Sequence, residues 1–425
     1  MASKASRSRG RAATTQSRSK EKTLRAAPEQ AGIRGKLSAE ELEEQIGRSA
    51  AALQKALAAG DLAPFYQTYR STDLPFLAPI YSGDARGLTR ACFEVLHRLG
   101  SHSPAVALAI ENHYYVSSAL ATFPADGNPA LKERRDGLVR SVVADRLLVA
   151  NTNSRVHADR VGSIGTRARR EEGGFRVRGE SAYMSLASEG DLVFFLTLIE
   201  DEGPAILVAP LRDNPGIEIG PLLFPRAMVD SDTRRVTFRD YFLPAENLLL
   251  AGNSEAMAKL ATFQITWHQA LLPGPFLGAA ARALEEARVF LRSVQGPNGQ
   301  PLAELDGMVV DLGRMAIRYR AACCLTHQAG EALELLTYGD PPLAAFEEAF
   351  DYACAAKQFG MRCAEEIVAA VRRMIGARAF TGSHPLERLS QEVMFGPLGG
   401  EVNAFIERRY GRRVLGEAEF LSNRW

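Results

Sequence analysis

The stretch Ser231-Asp-Thr-Arg-Arg-Val-Thr-Phe-Arg-Asp-Tyr-Phe-Leu-Pro-Ala-Glu-Asn247 decides how the rest of the chain is read. Val236, Phe238 and Phe242 place apolar side chains at near-alternate positions, and Pro244 removes an amide that a further ladder bond would need. The stretch therefore reads as one β-strand and a turn. Working back from it, period two recurs in Ile217-Glu-Ile219, Ala205-Ile-Leu-Val-Ala209, the run 192–199 and Phe175-Arg-Val-Arg178, punctuated by Gly, Pro, Asn and Asp. That pattern predicts a middle antiparallel β-domain over 148–252.

On either side the period changes to that of helices. Over 37–147 a capping box, Ser38 with Glu41, opens a helix through Leu42, Ile46 and Leu53. Leu88, Cys92, Val95 and Leu96 share one helix face, and Val106 to Leu120 forms a second apolar-rich helix. Over 253–425 long helical segments return, at roughly 258–293, 301–337, 343–376 and 385–412, which predicts a C-terminal four-helix bundle. The order helices, sheet, helices is α+β, with an N-terminal helical domain, and lacks the alternation of a parallel α/β fold.

Bulk properties narrow the function classes. The 425 residues carry a net charge of +1 and are 46% hydrophobic, an ordinary enzyme composition with no charge excess for nucleic acid or a membrane surface. The longest apolar run, 192–199, has the length of a buried strand and falls short of a membrane span. Cys92, Cys323, Cys324, Cys354 and Cys363 are odd in number and form no CxxC pair, so free thiols in a reducing cytoplasm are expected. The seven histidines show no metal-ligand spacing, and no metal is expected. No GxGxxG, GxxxxGK[ST] or GxSxG occurs, which counts against Rossmann, P-loop and serine-hydrolase chemistry. Residues 1–36 are rich in Lys, Arg and Ser and poor in acids, and are expected to be a disordered basic tail, with an organelle transit peptide as the alternative.

Four blocks of sequence, in order, resemble the acyl-CoA dehydrogenase superfamily. The first is Ile164-Gly-Thr-Arg-Ala-Arg with Gly174-Phe-Arg-Val-Arg-Gly-Glu-Ser-Ala-Tyr-Met-Ser185, similar to the family's I-x-T-x-A and G-x-x-x-x-G-x-K-x-W-I-T hairpin. The second is the strand 231–247. The third, Gly278-Ala-Ala-Ala-Arg-Ala-Leu-Glu-Glu-Ala287, is similar to an opening bundle helix. The fourth runs from Ala355-Ala-Lys357 through Ile375-Gly-Ala-Arg-Ala-Phe380 to Pro385-Leu-Glu-Arg-Leu389.

The resemblance implies a flavin enzyme, with FAD as cofactor and FMN as the alternative, acting on an acyl thioester of coenzyme A or an acyl carrier protein. It implies that Tyr183 packs on the flavin and Ser185 bonds its N5 edge. Asn153, in Asn153-Ser-Arg155 where the family has Thr-Glu-Pro, would face the pyrimidine edge. Arg292 and Arg373 would hold phosphates across the interface of a homodimer or homotetramer. Without the resemblance, Tyr183 reads as an ordinary strand aromatic.

Dehydrogenation beside a thioester needs a base for the α-proton. Counting from Pro385 puts Gly400 at the family's glutamate position, with Glu401 one residue later, as a shifted base or a solvated carboxylate. Other family members carry the base on the first bundle helix, where His268 stands, as base or packed core residue. A second reading is a two-component flavin monooxygenase using reduced flavin and O2, with His113, Asn153 and Ser185 around the reacting centre. A third is a non-catalytic relative.

Overall fold

The computed structural model describes residues 35–153, 164–382 and 384–417. Nearly all of the basic tail, and Ser154 and Arg155 of the expected flavin loop, lie outside the described residues. Before the sheet come α1 (Ala39–Ala59), α2 (Ala63–Ser71), α3 (Leu77–Ile80), α4 (Ala85–Gly100), α5 (Pro104–Thr122) and α6 (Pro129–Ala144). The capping box is present: Glu41 N donates to Ser38 Oγ at 3.1 Å and Ser38 N donates to Glu41 Oε2 at 2.8 Å. α4 is amphipathic, whereas α5 is buried along almost its whole length and so must satisfy Glu111, Asn112 and His113 internally.

The sheet comprises β1 (Val149–Thr152), β2 (Thr166–Glu171), β3 (Gly174–Met184), β4 (Leu192–Ile199), β5 (Gly203–Pro210), β6 (Ile217–Leu222), β7 (Arg234–Pro244) and β8 (Leu248–Ala251). Its order is β6-β7-β3-β2-β4-β5-β8, with β1 also on β4. The expected antiparallel character holds for the hairpins, but β1 and β2 both pair parallel to β4, so the sheet is mixed. Period two reports which face a residue takes and is blind to strand direction.

Two bulges in the β3–β7 ladder set the site. In β7, the register Val177↔Tyr241 and Gly179↔Phe238 leaves one extra residue, and Asp240 adopts φ +49°. One extra residue exchanges the faces, so Val236 and Phe238 are buried as expected but Leu243 replaces Phe242 in the interior. In β3 the extra residue lies between Ser181 and Met184, at Ala182-Tyr183.

After the sheet come α7 (Glu255–Leu271), α8 (Pro273–Ser293), α9 (Asp306–Leu335), α10 (Leu343–Ile375), α11 (Pro385–Val393) and α12 (Asn403–Val414). The segment read as 258–293 is broken at Leu272, because Pro273 and Pro275 have no amide to donate. The segment read as 385–412 is broken by Gly396-Pro-Leu-Gly-Gly400. α4 crosses α8 at backbone contact: a β-carbon on Gly278 would stand 2.1 Å from the His97 carbonyl oxygen. Only a residue without a side chain fits there.

α11 is tied to the start of α5 by a buried carboxylate. Glu392 Oε2 accepts from Ser103 Oγ and Ala105 N, both at 2.9 Å, at the positive end of the helix. Burial nevertheless dominates and pushes the Glu392 carboxyl up from 4.5 to about 7. Below about pH 4.5 the group is protonated whether or not the chain is folded. Between about 4.5 and 7 the folded state keeps a proton that the unfolded state has released, so stability falls as pH rises, by up to about 1.4 kcal/mol per unit. Glu392→Gln is expected to flatten this slope in denaturant titrations across that window. An unchanged slope would show that Glu392 ionises normally.

Candidate functional site

The β3 bulge makes a shelf. Tyr183 sits in the left-handed region at φ +59°, a conformation that costs a non-glycine residue about 1–3 kcal/mol and so marks a constrained position. Its neighbours Ala182 and Met184 turn inward, leaving its ring 47% exposed and stacked loosely on Phe224 at 6.2 Å. Phe224 in turn meets Phe395 edge-on at 5.1 Å, so an aromatic surface joins the sheet to the segment after α11.

Ser185 is buried beside this shelf, at the end of a hydroxyl chain. Ser231 Oγ donates to the Met228 carbonyl at 2.6 Å, and Ser231, Thr233 and Ser185 follow one another at 2.7 and 2.8 Å. Because the first hydroxyl spends its proton on a carbonyl, Thr233 donates to Ser231 and Ser185 donates to Thr233. Ser185 is left presenting an acceptor. Asn153 Oδ1 accepts from Leu196 N at 2.9 Å, which leaves its amide nitrogen as the available donor.

Arg292 and Arg373 lie exposed near the C-terminal ends of α8 and α10 and make no ion pair among the described residues. Arg378 covers the Phe290 ring at 5.7 Å, which brings those two ends together. Among the described residues no hydrogen bond, ion pair or ring contact links either arginine to Tyr183 or Ser185. An exposed aromatic face, nearby hydrogen-bonding groups and unpaired guanidinium groups fit a flavin and its phosphates.

His268, on α7, faces α5. Its Nδ1 lies 2.9 Å from Glu111 Oε1, and its ring lies 4.7 Å from that of Tyr115, one turn beyond Glu111. Nε2 makes no hydrogen bond among the described residues. Glu111 is fully buried and its Oε2 has no partner. Tyr115 donates to Asn151 Oδ1 at 2.5 Å, while Asn151 donates its backbone amide to Asn112 Oδ1 at 2.9 Å.

The position three residues before α12 is closed to a glutamate. Gly400 has φ +60°, and a β-carbon there would meet Gln269 Nε2 and Leu272 Cδ2, each at 3.0 Å. Gln269 is fully buried with both amide atoms unpartnered. Gly400→Glu, which restores the family's residue, is expected to lower stability by about 1–3 kcal/mol and to gain no activity. Thermal melting and turnover check this.

Glu401 points elsewhere. Both its carboxylate oxygens accept from Arg409 Nη1, at 2.6 and 2.7 Å, and Cys354 Sγ lies 3.4 Å away. Arg409 also bonds Asp351 at 3.1 Å. Buried Lys357 donates to the Glu401 carbonyl and to Asn403 Oδ1, both at 2.8 Å, and burial pulls its ammonium down to about 8. Neither the shifted free base nor the solvated carboxylate describes this geometry: Glu401 is in a buried ion pair with Arg409 of α12, which in turn pairs with Asp351 of α10.

His113 is committed as well. Its Nε2 donates to the Pro75 carbonyl at 2.7 Å and its Nδ1 accepts from Val149 N at 2.9 Å, which fixes a neutral imidazole. Burial pushes it down to about 4. It braces α5 against β1 and has no nitrogen left for a substrate.

Glu111, Asn151, Gln269 and Arg409 were not picked out from the sequence. Only Glu111 carried a signal, as a lone acid in an apolar helix.

Residues 270–395 match the sequence model of the family "Acyl-CoA dehydrogenase, C-terminal domain". Over that segment the chain is similar to the acyl-CoA dehydrogenase superfamily. It is 23% identical over 254 residues to benzylmalonyl-CoA dehydrogenase of Aromatoleum aromaticum (strain DSM 19018 / LMG 30748 / EbN1), a match covering 59% of this chain and 64% of that relative. In fold it resembles FMN-bound TdsC from Paenibacillus sp. A11-2, with a TM-score of 0.75, 18% identity and coverage of 89% of this chain and 96% of that one. TdsC is described as a dibenzothiophene monooxygenase. Butyryl-CoA dehydrogenase from Megasphaera elsdenii shares the fold at a TM-score of 0.73 and 16% identity, covering 90% of this chain and all of that one (100%). No helix among the described residues is long and apolar enough to cross a membrane.

Proposed function

We propose that this chain is a flavin-dependent oxidoreductase that desaturates the Cα–Cβ bond of an acyl thioester carried on coenzyme A or an acyl carrier protein. The observation that carries the reading is the His268 imidazole, bonded through Nδ1 to buried Glu111 and with Nε2 unbonded, while Glu401 is occupied by Arg409. His268 Nε2 takes the α-proton as general base. Flavin, as FAD with FMN as the alternative, supplies the acceptor for the β-hydrogen and its electron pair, and the C=C bond forms between the two carbons.

Tyr183 gives the flavin ring a face to lie on, Ser185 and Asn153 serve its edges, and Arg292 and Arg373 serve its phosphates, reached from a neighbouring subunit of a homodimer or homotetramer. Exposed Val309, Val310 and Ile317 on α9 offer an apolar surface for that association. The similarity to benzylmalonyl-CoA dehydrogenase supports a thioester substrate.

One observation favours a second reading, a two-component monooxygenase supplied with reduced flavin and O2. Ser185 presents an acceptor, which suits a flavin whose N5 carries a proton. Mixing the holoprotein anaerobically with aliphatic and aromatic acyl-CoA thioesters separates the readings. Bleaching of the oxidised flavin band is expected. No bleaching by any thioester, together with an oxygen-inserted aromatic product when prereduced protein meets air, would establish the monooxygenase instead. A colourless protein that takes up neither FAD nor FMN would leave a non-catalytic relative.

A further inference from the structure

Glu111 stands in the middle of α5, buried on every side, and among the described residues it has one hydrogen bond and one unpartnered oxygen. A carboxylate in such a place costs several kcal/mol unless something compensates it. No arginine or lysine is among the groups that act on it. Burial pushes the Glu111 carboxyl up, and His268 is the partner that opposes this, through both its charge and its hydrogen bond. The other titratable groups facing the pair are Tyr115 on α5 and Cys92 on α4, and burial keeps both protonated. The Glu111 charge is therefore balanced when the imidazole holds a second proton. Tyr115 cannot compete for the carboxylate, because its hydroxyl proton is given to Asn151.

We propose that Glu111 is the positioning residue of His268: it holds the Nδ1–H, presents Nε2 as the proton-accepting atom and stabilises the imidazolium that results. The contrast with His113 makes the assignment specific. The His113 ring is fully buried on α5 and bonds a backbone carbonyl and a backbone amide, so it is fixed in place and gains nothing by protonation. Among the described residues His268 has a carboxylate at one nitrogen and no hydrogen bond at the other. The catalytic meaning of this arrangement rests on reading His268 as the base, but the arrangement itself can be tested without any reaction.

The test is a ¹⁵N NMR titration of the histidine rings in the flavin-loaded protein, with the His268 signal identified by its loss in His268→Gln. In the wild type, neutral His268 is expected as the Nδ1–H tautomer. Glu111→Gln keeps the size and an acceptor oxygen but removes the charge, and the proton affinity of His268 is expected to fall about 10- to 1,000-fold. The acid limb of the pH profile for flavin reduction moves to lower pH by the same factor, and Glu111→Asp partly restores it. An Nε2–H tautomer in the wild type overturns the proposal even if Glu111→Gln fails to fold. An unchanged titration in a folded Glu111→Gln overturns it as well. If no thioester reduces the wild-type flavin, the dehydrogenase reading fails, while the titration still decides the role of Glu111.

Discussion

Replacing His268 by alanine is expected to slow anaerobic reduction of the bound flavin by its thioester substrate roughly 100- to 10,000-fold, the usual loss when a positioned general base is removed. The size follows from the chemistry: an α-proton beside a thioester is a weak acid, and water is a poor base for it. The visible spectrum of bound flavin should be unchanged, because Tyr183 lies on β3, Ser185 just after it and Asn153 just after β1, away from α7. Stopped-flow absorbance measures the rate directly. Glu401→Gln serves as the comparison and should leave the rate per bound flavin unchanged. If His268→Ala reduces flavin as fast as the wild type while Glu401→Gln does not, the base is Glu401 and its bond to Arg409 must open during turnover.

The second large effect is on stability. Arg409→Met is expected to lower the unfolding free energy by about 3–5 kcal/mol, because it removes the guanidinium that both oxygens of buried Glu401 accept from and leaves Asp351 with its ion pair to Arg413 alone. Arg409 is 2% exposed and its guanidinium also lies 5.2 Å from the Phe350 ring centroid, so little water reaches the site to compensate. Combining Arg409→Met with Glu401→Gln should recover part of the loss, since removing both ends of a buried pair leaves fewer unpaired charges than removing one. Denaturant unfolding of the two single variants and the double variant gives the coupling. A single-variant cost below about 1 kcal/mol would mean that the pair behaves as a surface one.

The two loci also show what a sequence makes legible. The shelf was legible because its signal is local: Gly174 to Met184 form one hairpin strand, and a tyrosine near its end and a serine just after it come together whatever the rest of the chain does. That Tyr183 is forced to φ +59° was not legible, because the extra residue exists only relative to the register of β7, some fifty residues away in the chain. The expectation that Phe242 points inward failed for the same reason at the second bulge. Glu401 is a different case. One residue from the expected position, it invited a loop slip, but Gly400 and Glu401 diverge because Gln269 and Leu272 fill the space above one and Arg409 waits beside the other. None of those three is a sequence neighbour on the α11 side.

By itself, then, the sequence determined which stretches are helix and strand, their α+β order, the aromatic and hydroxyl of the shelf, and His268 among the candidates for base. These depend on periodicity and short-range pattern, which chain neighbours carry. The tertiary structure alone decided that β1 and β2 run parallel to β4, that Glu401 and His113 have no free atoms to offer, and that Glu111 stands behind His268. Each of those is a pairing between residues far apart in the chain, and burial, by making an unpaired charge or polar atom costly, is what forces such partners together.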